Sequence, residues 1–288
     1  MKKIVYAAVL GFLLLALTTK GGVTPKFDHP VYYRDKVIVL LYHDIVEHFE
    51  SEKQNHSTLT ANQLREHLRM LKENGFRIIP MKSFVRFMLE GKPVPANAVV
   101  LTFDDGYESF YKTAFPVLQE FGVTASNFMV GVSSDLFNPD AEPHLTCGQM
   151  RELKAKGMEF YSHTYDLHRY VRIGPQDQVG PALTSRLYLE QKKRQETEHE
   201  YRRRIAADMN FMEKRLRQEL GVQPKLLAFP FGSYDAAVVE EGRKAGVELF
   251  FTIEEGLNEP GNRFVKRINA GEPYMTAEAL WNLLNKYF

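Results

Sequence analysis

The feature of this sequence that most constrains its fold is a regular alternation of short apolar runs with segments of helical periodicity. The runs are rich in β-branched and aromatic residues, as buried strands are; they are Val37–Tyr42, Phe76–Ile79, Val99–Phe103, Ala125–Val130, Met158–Ser162, Lys225–Phe229, Leu249–Thr252 and Phe264–Ile268. The segments between them include one that places Leu64, Leu68 and Leu71 on one helix face. Strands that alternate with helices favour βα units and a mostly parallel sheet. Seven or eight such units predict an α/β fold, a single distorted (β/α) barrel.

Composition narrows the possible classes of function. The chain has 288 residues and a formal net charge of +1, which argues against a nucleic-acid-binding surface. Its single cysteine, Cys147, rules out an internal disulfide and a thiolate zinc cluster, and we expect it to be a small buried hydrophobe. No composition break follows the N-terminal segment. We therefore predict one barrel domain over residues 31–288, as a monomer that binds no nucleic acid.

The N-terminal segment has the pattern of a signal peptide. Met1-Lys2-Lys3 supplies a positive start, and residues 4–17 form an apolar run that is short for a membrane span. No Ala-x-Ala site and no cysteine for lipidation follow, so cleavage near Thr19 and retention as an uncleaved anchor both stay open. We expect residues 1–30 to be a signal or anchor segment with a linker. The protein is then exported, and is extracellular, at the cell surface or attached to the outer face of the membrane.

Polar side chains follow the predicted strands at the point where each strand ends. They are His43, the pair Asp104 and Asp105, His163, and the turn at residues 230–234. In a barrel of parallel strands the carboxyl ends share one face, and that face carries the active site. We therefore expect these side chains to meet there.

The chemistry of these residues leaves several possibilities open. Two carboxylates at the end of a buried strand are costly unless a metal ion uses their charge, or one binds a metal and the other takes a proton; the alternative is that Asp104 and Asp105 cap the next helix. His163 and His168 lie five residues apart after another strand. With one aspartate they form the His₂-carboxylate set of catalytic metal sites. Two independent histidines would give the same pattern.

The segment Thr102–Gly106, Thr-Phe-Asp-Asp-Gly, together with His163 and His168 resembles the first two motifs of the polysaccharide deacetylase family, carbohydrate esterase family four. The resemblance covers roughly residue 37 to the C-terminus. It implies a distorted (β/α) barrel that removes N-acetyl groups from sugars with a divalent metal ion. Tyr42-His43-Asp44, the histidine spacing and the segment Phe229–Gly232 resemble one branch, the deacetylases of the biofilm polymer poly-β-1,6-N-acetylglucosamine.

Matched position by position, the resemblance implies roles for the four central residues. Asp105, His163 and His168 would bind the metal ion, and Asp104 would be the general base that takes a proton from the attacking water. A His₂-Asp set accepts zinc, cobalt or nickel, and also iron or manganese. The implied cofactor is therefore one divalent metal ion of unspecified identity.

The general acid has no counterpart at the family's usual position. In most of the family it is a histidine late in the chain, whereas here no histidine follows His199, which lies on a charged helix. The biofilm branch resembles a circular permutation of the family barrel with that histidine on the N-terminal strand, so His43 is the candidate acid. The family's Asp-x-x-Asp-Trp motif is absent. Asp44 is adjacent to His43 in the sequence, but neighbouring residues of a strand point to opposite faces, so Asp44 should point away from His43. The backbone N–H of Phe231 is the candidate donor to the oxyanion.

One further position departs from the family pattern. Ala228 stands where the family has an arginine that braces the catalytic aspartate, and Lys266 or Arg267, at the end of the last strand, is the candidate to replace it. For contacts with sugar rings, Tyr107 and Tyr234 are the candidates on the relevant loops. Neither point changes the implied metal-binding set.

The resemblance thus implies a metal-dependent hydrolase of linear amide C–N bonds. It would release acetate from poly-β-1,6-N-acetylglucosamine in the maturation of a biofilm exopolysaccharide. One alternative keeps this chemistry but takes peptidoglycan or chitin-like β-1,4 chains. Another is a non-catalytic surface carbohydrate-binding protein, which has no need for both a metal-binding triad and a free base.

Overall fold

The apolar runs form one curled parallel sheet in the computed structural model of the protein, which describes residues 29–49, 57–136 and 138–288. In chain order the strands are β1 Val37–Tyr42, β2 Asp44–Val46, β3 Thr58–Thr60, β4 Arg77–Ile78, β5 Ala98–Phe103, β6 Ser126–Met129, β7 Glu159–Ser162, β8 Tyr170–Arg172, β9 Val179–Pro181, β10 Tyr188–Leu189, β11 Arg194–Gln195, β12 Leu226–Ala228, β13 Leu249–Phe251, β14 Phe264–Val265 and β15 Ile268–Asn269. Within the described ranges the main sheet has nine strands, in the order β14–β13–β12–β7–β6–β5–β1–β15, with β4 paired to β5.

One short segment of chain joins the two edges of this sheet. β14 pairs with β13, and β15, which begins three residues further on, pairs with β1. The sheet therefore curls round until residues 264–269 bridge its ends, and the predicted distorted (β/α) barrel is confirmed. The first and last strands, β1 and β15, are neighbours, which is the arrangement that a circular permutation of such a barrel requires.

Side chains of the strands alternate between the barrel interior and the surrounding helices, because successive residues of a strand point to opposite faces. Val37 and Val39 of β1 pack inside the barrel with Phe251 of β13, and all three are buried. The same alternation continues past the ends of β5 and β7. It brings Asp104 and His163 into the cavity at the carboxyl ends of the strands.

Helices connect the strands and pack on the sheet. They are α1 Ala61–Glu73, α2 Met81–Glu90, α3 Phe115–Phe121, α4 Gly131–Asp135, α5 Cys147–Ala155, α6 Glu198–Leu220, α7 Ala236–Lys244 and α8 Ala277–Leu284. Thr60, Thr146 and Thr197 begin α1, α5 and α6 with capping boxes, in which the threonine oxygen accepts a backbone N–H three residues on. None of the helices in the described part of the chain is long and apolar enough to cross a membrane.

Two stretches differ from what the sequence predicts. One helix is expected over residues 111–121, whereas the chain forms a π-helix over Phe110–Ala114 followed by α3. Pro116, at the start of α3, has no backbone N–H to donate, which interrupts the regular bonding pattern there. The polar insertion after residue 165 is folded into two antiparallel hairpins, β8–β9 and β10–β11. The predicted signal or anchor segment falls almost entirely outside the described residues.

Candidate active site

His163 enters the cavity from the end of β7 in a fixed orientation. The residue is 2% exposed, and its Nδ1 lies 2.8 Å from the carbonyl oxygen of Ala228 on β12. Because a carbonyl oxygen only accepts, Nδ1 carries the proton and donates it to this bond. Nε2 is left facing Asp105 and is the nitrogen that can bind a metal ion. Burial opposes protonation of His163, but Asp104 and Asp105 outweigh it and raise the pKa of this imidazole, so metal binding at Nε2 displaces a proton.

Three side chains from two loops converge on one point. Nε2 of His163 lies 3.5 Å, and Nε2 of His168 lies 3.2 Å, from Oδ1 of Asp105, and the three ligand atoms lie within 4.8 Å of one another. Tetrahedral zinc, with bonds of about 2.0–2.2 Å, separates its ligand atoms by about 3.3 Å. Oδ1 of Asp105 is also buried without a hydrogen-bond partner among the described residues. The donor set therefore fits a divalent metal ion.

Burial and charge set the protonation of these ligands. Burial opposes ionisation of Asp105, but the protonated imidazole of His163, 3.5 Å away, outweighs it and holds the pKa of that carboxyl well below its ordinary value. Burial, followed by the charge of His163, lowers the pKa of His168 to about 4. At neutral pH Asp105 is thus a carboxylate and His168 a neutral imidazole. These are the protonation states that bind metal ions.

The second carboxylate, Asp104, is held by a buried arginine. Nη1 and Nη2 of Arg267 donate to its Oδ1 and Oδ2 at 2.7 and 2.8 Å, and Nε donates to the carbonyl oxygen of Thr252 at 2.8 Å. The Arg267 and Asp104 side chains are 0% and 3% exposed. Burial raises the pKa of Asp104, but the charges of Arg267 and His163 outweigh this and bring that pKa below its ordinary value. Arg267 is therefore the residue that braces Asp104, and of the two candidates, Lys266 and Arg267, it is the one that contacts this aspartate.

Two of the residues that the sequence singles out lie beside the cavity and not in its lining. Lys266 lies against Gly256, where its Cδ would be 2.8 Å from an added Cβ. Tyr234 stacks on Phe229, with ring centroids 4.6 Å apart. The aromatic face of Tyr234 is thus partly covered by this packing.

His43 follows β1 at the edge of the same cavity. Its Nδ1 is buried and has no hydrogen-bond partner among the described residues. The adjacent Asp44 is engaged elsewhere, since it accepts the hydroxyl of Ser109 at 2.6 Å. Gly271 lies close to the backbone of Tyr42 and His43. A Cβ added to Gly271 would lie 3.1 Å from Cα of Tyr42 and 3.5 Å from N of His43. The position of His43 is therefore set by tight backbone packing.

The two aspartates, the three histidines and Arg267 line one cavity of about 470 Å³. Its lining residues are Leu41, His43, Ser57, Asp104, Asp105, Tyr107, His163, His168, Phe229, Phe231, Gly232, Ile253, Arg267 and Asn269. Phe231 has a φ of 57°, which is uncommon for a residue with a side chain. Its ring lies 4.4 Å from that of His168, measured between centroids, and the residue is 38% exposed. The cavity thus combines a metal-binding triad, a separate carboxylate, an imidazole and aromatic side chains.

Two further groups that build the site have no motif in the sequence. One is the carbonyl oxygen of Ala228, which orients His163 and which any residue could supply. The other is Asp208 of α6, whose carboxylate accepts the backbone N–H groups of Tyr165 and Asp166 between the two histidines. Asp208 lies next to the buried stripe of α6, between Ile205 and Met209, but nothing in the sequence distinguishes it from the other charged residues of that helix.

Comparison with known proteins agrees with this geometry. A family model described as polysaccharide deacetylase matches residues 91–250, a range that contains the two aspartates and two histidines of the site but neither His43 nor Arg267. The poly-β-1,6-N-acetyl-D-glucosamine N-deacetylase of Escherichia coli K12 is 33% identical over 231 residues, which cover 76% of this chain and 34% of that protein. The chain thus spans about a third of the length of this relative.

Two solved structures share the fold. A de-N-acetylase from Aggregatibacter actinomycetemcomitans matches with a TM-score of 0.76 at 26% identity, covering 86% of this chain and 99% of that chain. The BpsB deacetylase domain from Bordetella bronchiseptica matches with a TM-score of 0.70 at 28% identity, covering 81% of this chain and 95% of that chain.

Proposed function

The chain belongs to the polysaccharide deacetylase family, and from this premise we propose that it is a metal-dependent N-deacetylase of poly-β-1,6-N-acetylglucosamine that acts in biofilm exopolysaccharide maturation. The observation that carries the proposal is the pairing of Asp104 with Asp105 in one cavity. Oδ1 of Asp105 lies 3.5 and 3.2 Å from Nε2 of the two histidines. Both oxygens of Asp104 instead accept from Arg267, and Nε2 of His163 lies 3.9 Å from its Oδ2. A carbohydrate-binding protein has no use for a metal-binding triad and a separate base, so the pairing favours an enzyme.

Asp105, His163 and His168 would hold the metal ion, for which zinc, cobalt and nickel are the first candidates. When bound, such an ion supplies Lewis-acid activation of the amide carbonyl and lowers the pKa of water. The chain's own contribution is to present an ionised carboxylate and two oriented imidazoles, one of them fixed by the carbonyl oxygen of Ala228.

Asp104 takes a proton from the attacking water as the oxygen of that water bonds to the amide carbon. Both oxygens of Asp104 accept from Arg267, and each keeps a further lone pair for this proton. The guanidinium fork also fixes the direction of the carboxylate, because two parallel bonds leave it no rotation. Arg267 is therefore a positioning residue for the base.

The breaking C–N bond needs a proton on nitrogen, because an amine leaves poorly without one. His43 would donate it as the general acid, and the backbone N–H of Phe231 would donate a hydrogen bond to the negative oxygen of the tetrahedral intermediate. The support is that both residues line the cavity. The products are acetate and a glucosamine residue of the polymer. Tyr107 and Phe231, both in the lining, would offer aromatic surface to the neighbouring sugar rings. Tyr234, which packs on the lining residue Phe229, is a further candidate.

We also propose that the protein acts outside the cytoplasm, at the outer face of the membrane or in the medium, as a monomer. The support is the positive start and apolar run of residues 1–17 and the nature of the polymer. Fractionation of cells that produce the full chain tests this, and recovery in the cytoplasm alone would contradict it.

The substrate is tested by acetate release from β-1,6- and β-1,4-linked N-acetylglucosamine oligomers of equal length. We expect release from the β-1,6 series to be the faster, by at least tenfold in kcat/KM. A preference for the β-1,4 series would keep the chemistry and overturn the linkage. Release from neither series by protein with bound metal would overturn the enzymatic assignment.

The division of roles is tested with a pair of isosteric variants. Asp104→Asn should abolish acetate release and leave one metal ion bound per chain, whereas Asp105→Asn should lose both metal and release. Glu73→Gln, a change of the same type on the exposed surface of α1, is the control and should behave as the wild type. Full activity of Asp104→Asn would refute its role as the base.

A further inference from the structure

The loop that links His163 to His168 carries two of the three candidate metal ligands and is held in an unfavourable conformation. Thr164, directly after the first histidine, has a φ of 69°, in the left-handed region that residues with a Cβ seldom adopt. Such backbone persists only where surrounding contacts determine it. The contacts of this loop therefore decide how far apart the two imidazoles lie.

One side of the loop is bound to the segment that follows β6. The backbone N–H of His163 donates to the carbonyl oxygen of Met129 at 2.9 Å. The N–H of Gly131 donates to the carbonyl oxygen of Thr164 at 3.1 Å, and that of Val132 to the carbonyl oxygen of Tyr165 at 2.8 Å. The bonds from Gly131 and Val132 fix two carbonyl groups of the loop. The N–H groups of Tyr165 and Asp166 are satisfied from another side.

Asp208 supplies that other side. Its Oδ1 accepts the backbone N–H of Tyr165 at 2.9 Å, and its Oδ2 accepts the N–H of Asp166 at 2.8 Å. The residue lies in the middle of the 23-residue helix α6, next to the buried Met209. Burial raises the pKa of Asp208 to about 6, so at neutral pH it is still ionised and both bonds are charge-assisted.

We propose that Asp208 is a positioning residue for the metal centre. By binding the backbone N–H groups of Tyr165 and Asp166, it sets the separation of His163 and His168, which flank them. It contacts neither imidazole among the bonds described, and it acts through the backbone. The inference rests on the proposed metal site. Through this contact helix α6, which lies outside the barrel, controls the metal affinity of the cavity.

The test compares metal affinity with stability in three variants. Cobalt(II) is titrated into metal-stripped protein, its dissociation constant and its visible absorption spectrum are recorded, and Tm is measured alongside. Asp208→Ala removes both bonds and should weaken cobalt binding about tenfold to a hundredfold, the range found for residues that orient metal ligands. Asp208→Asn keeps one acceptor oxygen and should fall between Asp208→Ala and the wild type.

Asp235→Ala is the matched control. Asp235 also accepts two bonds, from the backbone N–H of Val238 and from the hydroxyl of Tyr201 on α6, at 2.8 and 2.9 Å. Its loss should lower Tm and leave the cobalt dissociation constant unchanged.

Three results would overturn the inference. One is wild-type cobalt affinity in Asp208→Ala, and a second is equal weakening in Asp235→Ala, which would mean that general loss of stability explains the effect. The third is an absence of cobalt binding by the wild type, which would overturn the proposed metal centre as well. If Asp208→Ala does not fold, the affinity and spectrum of Asp208→Asn decide between the same outcomes.

Discussion

Replacing Arg267 with methionine tests how strongly the buried ion pair with Asp104 stabilises the protein. The change keeps most of the side-chain length and removes two bonds to the carboxylate and one to the carbonyl oxygen of Thr252. Asp104 would then be buried without its partner, because the pair is 0% and 3% exposed. Removing one partner of such a pair costs about 3–5 kcal/mol, and we expect a loss of that size in the free energy of unfolding.

The assay is urea unfolding of metal-stripped protein at neutral pH, so that metal binding does not contribute. The fluorescence of Trp281, the single tryptophan, reports it, since this side chain packs against Phe76 and Phe288. A double-mutant cycle with Asp104→Asn isolates the pair. The double variant buries neither charge, so its loss should be smaller than the sum of the single losses by about 2–3 kcal/mol.

A second arginine in the same protein provides the control. Arg65 makes the same two-pronged contact with Glu120, at 2.8 and 3.0 Å, but on the surface. Water screens such exposed pairs to about 0–1 kcal/mol, so Arg65→Met should cost less than about 1 kcal/mol. Equal losses for the two arginine variants, or a cycle that is additive to within about 0.5 kcal/mol, would refute the reasoning.

Three smaller changes test other parts of the molecule. Burial raises the pKa of Glu213 from 4.5 to about 7, so between these pH values the folded protein keeps a proton that the unfolded chain releases. The free energy of unfolding should therefore fall as pH rises from 4.5 to about 7. Urea unfolding of Glu213→Gln should show no such fall. A Cβ at Gly271 would press on Tyr42 Cα at 3.1 Å, so Gly271→Ala should shift His43 and lower kcat about tenfold while the metal dissociation constant is unchanged. Removal of metal should lower Tm, and metal at 100 times its dissociation constant should restore about 2.7 kcal/mol of stability, measured by thermal unfolding.

Much of the fold can be read from the sequence because burial of periodic apolar residues decides where elements form. The strand Val37–Tyr42 has the bounds that the pattern predicts, and Leu64, Leu68 and Leu71 form part of the buried face of α1, as their spacing predicts. The convergence of His163 with Asp105 follows from the same pattern, since parallel strand ends share one face. Local periodicity and barrel topology are together enough to gather these groups in one cavity.

Other features depend on contacts that no local pattern encodes. Whichever of Lys266 and Arg267 faces inward is the one that can contact Asp104. The regular strand is interrupted between Val265 and Ile268, so the inward and outward alternation of its side chains could not be extrapolated to these two residues. In the sequence Asp208 is one of many charged residues on α6. Its role is visible only in the structure, where the loop that it binds lies beside it. The polar segment after residue 165 folds into hairpins that lack the apolar alternation by which strands are recognised.

The central claim is that the cavity at the carboxyl ends of the strands hydrolyses N-acetyl groups through a metal held by Asp105, His163 and His168. The most direct test measures acetate release from one β-1,6-linked N-acetylglucosamine oligomer by protein that has been stripped of metal and then reloaded with zinc. We predict release below detection in the stripped protein and full recovery with one equivalent of zinc. An equal rate with and without metal, under conditions where binding of zinc is measured independently, would contradict the account.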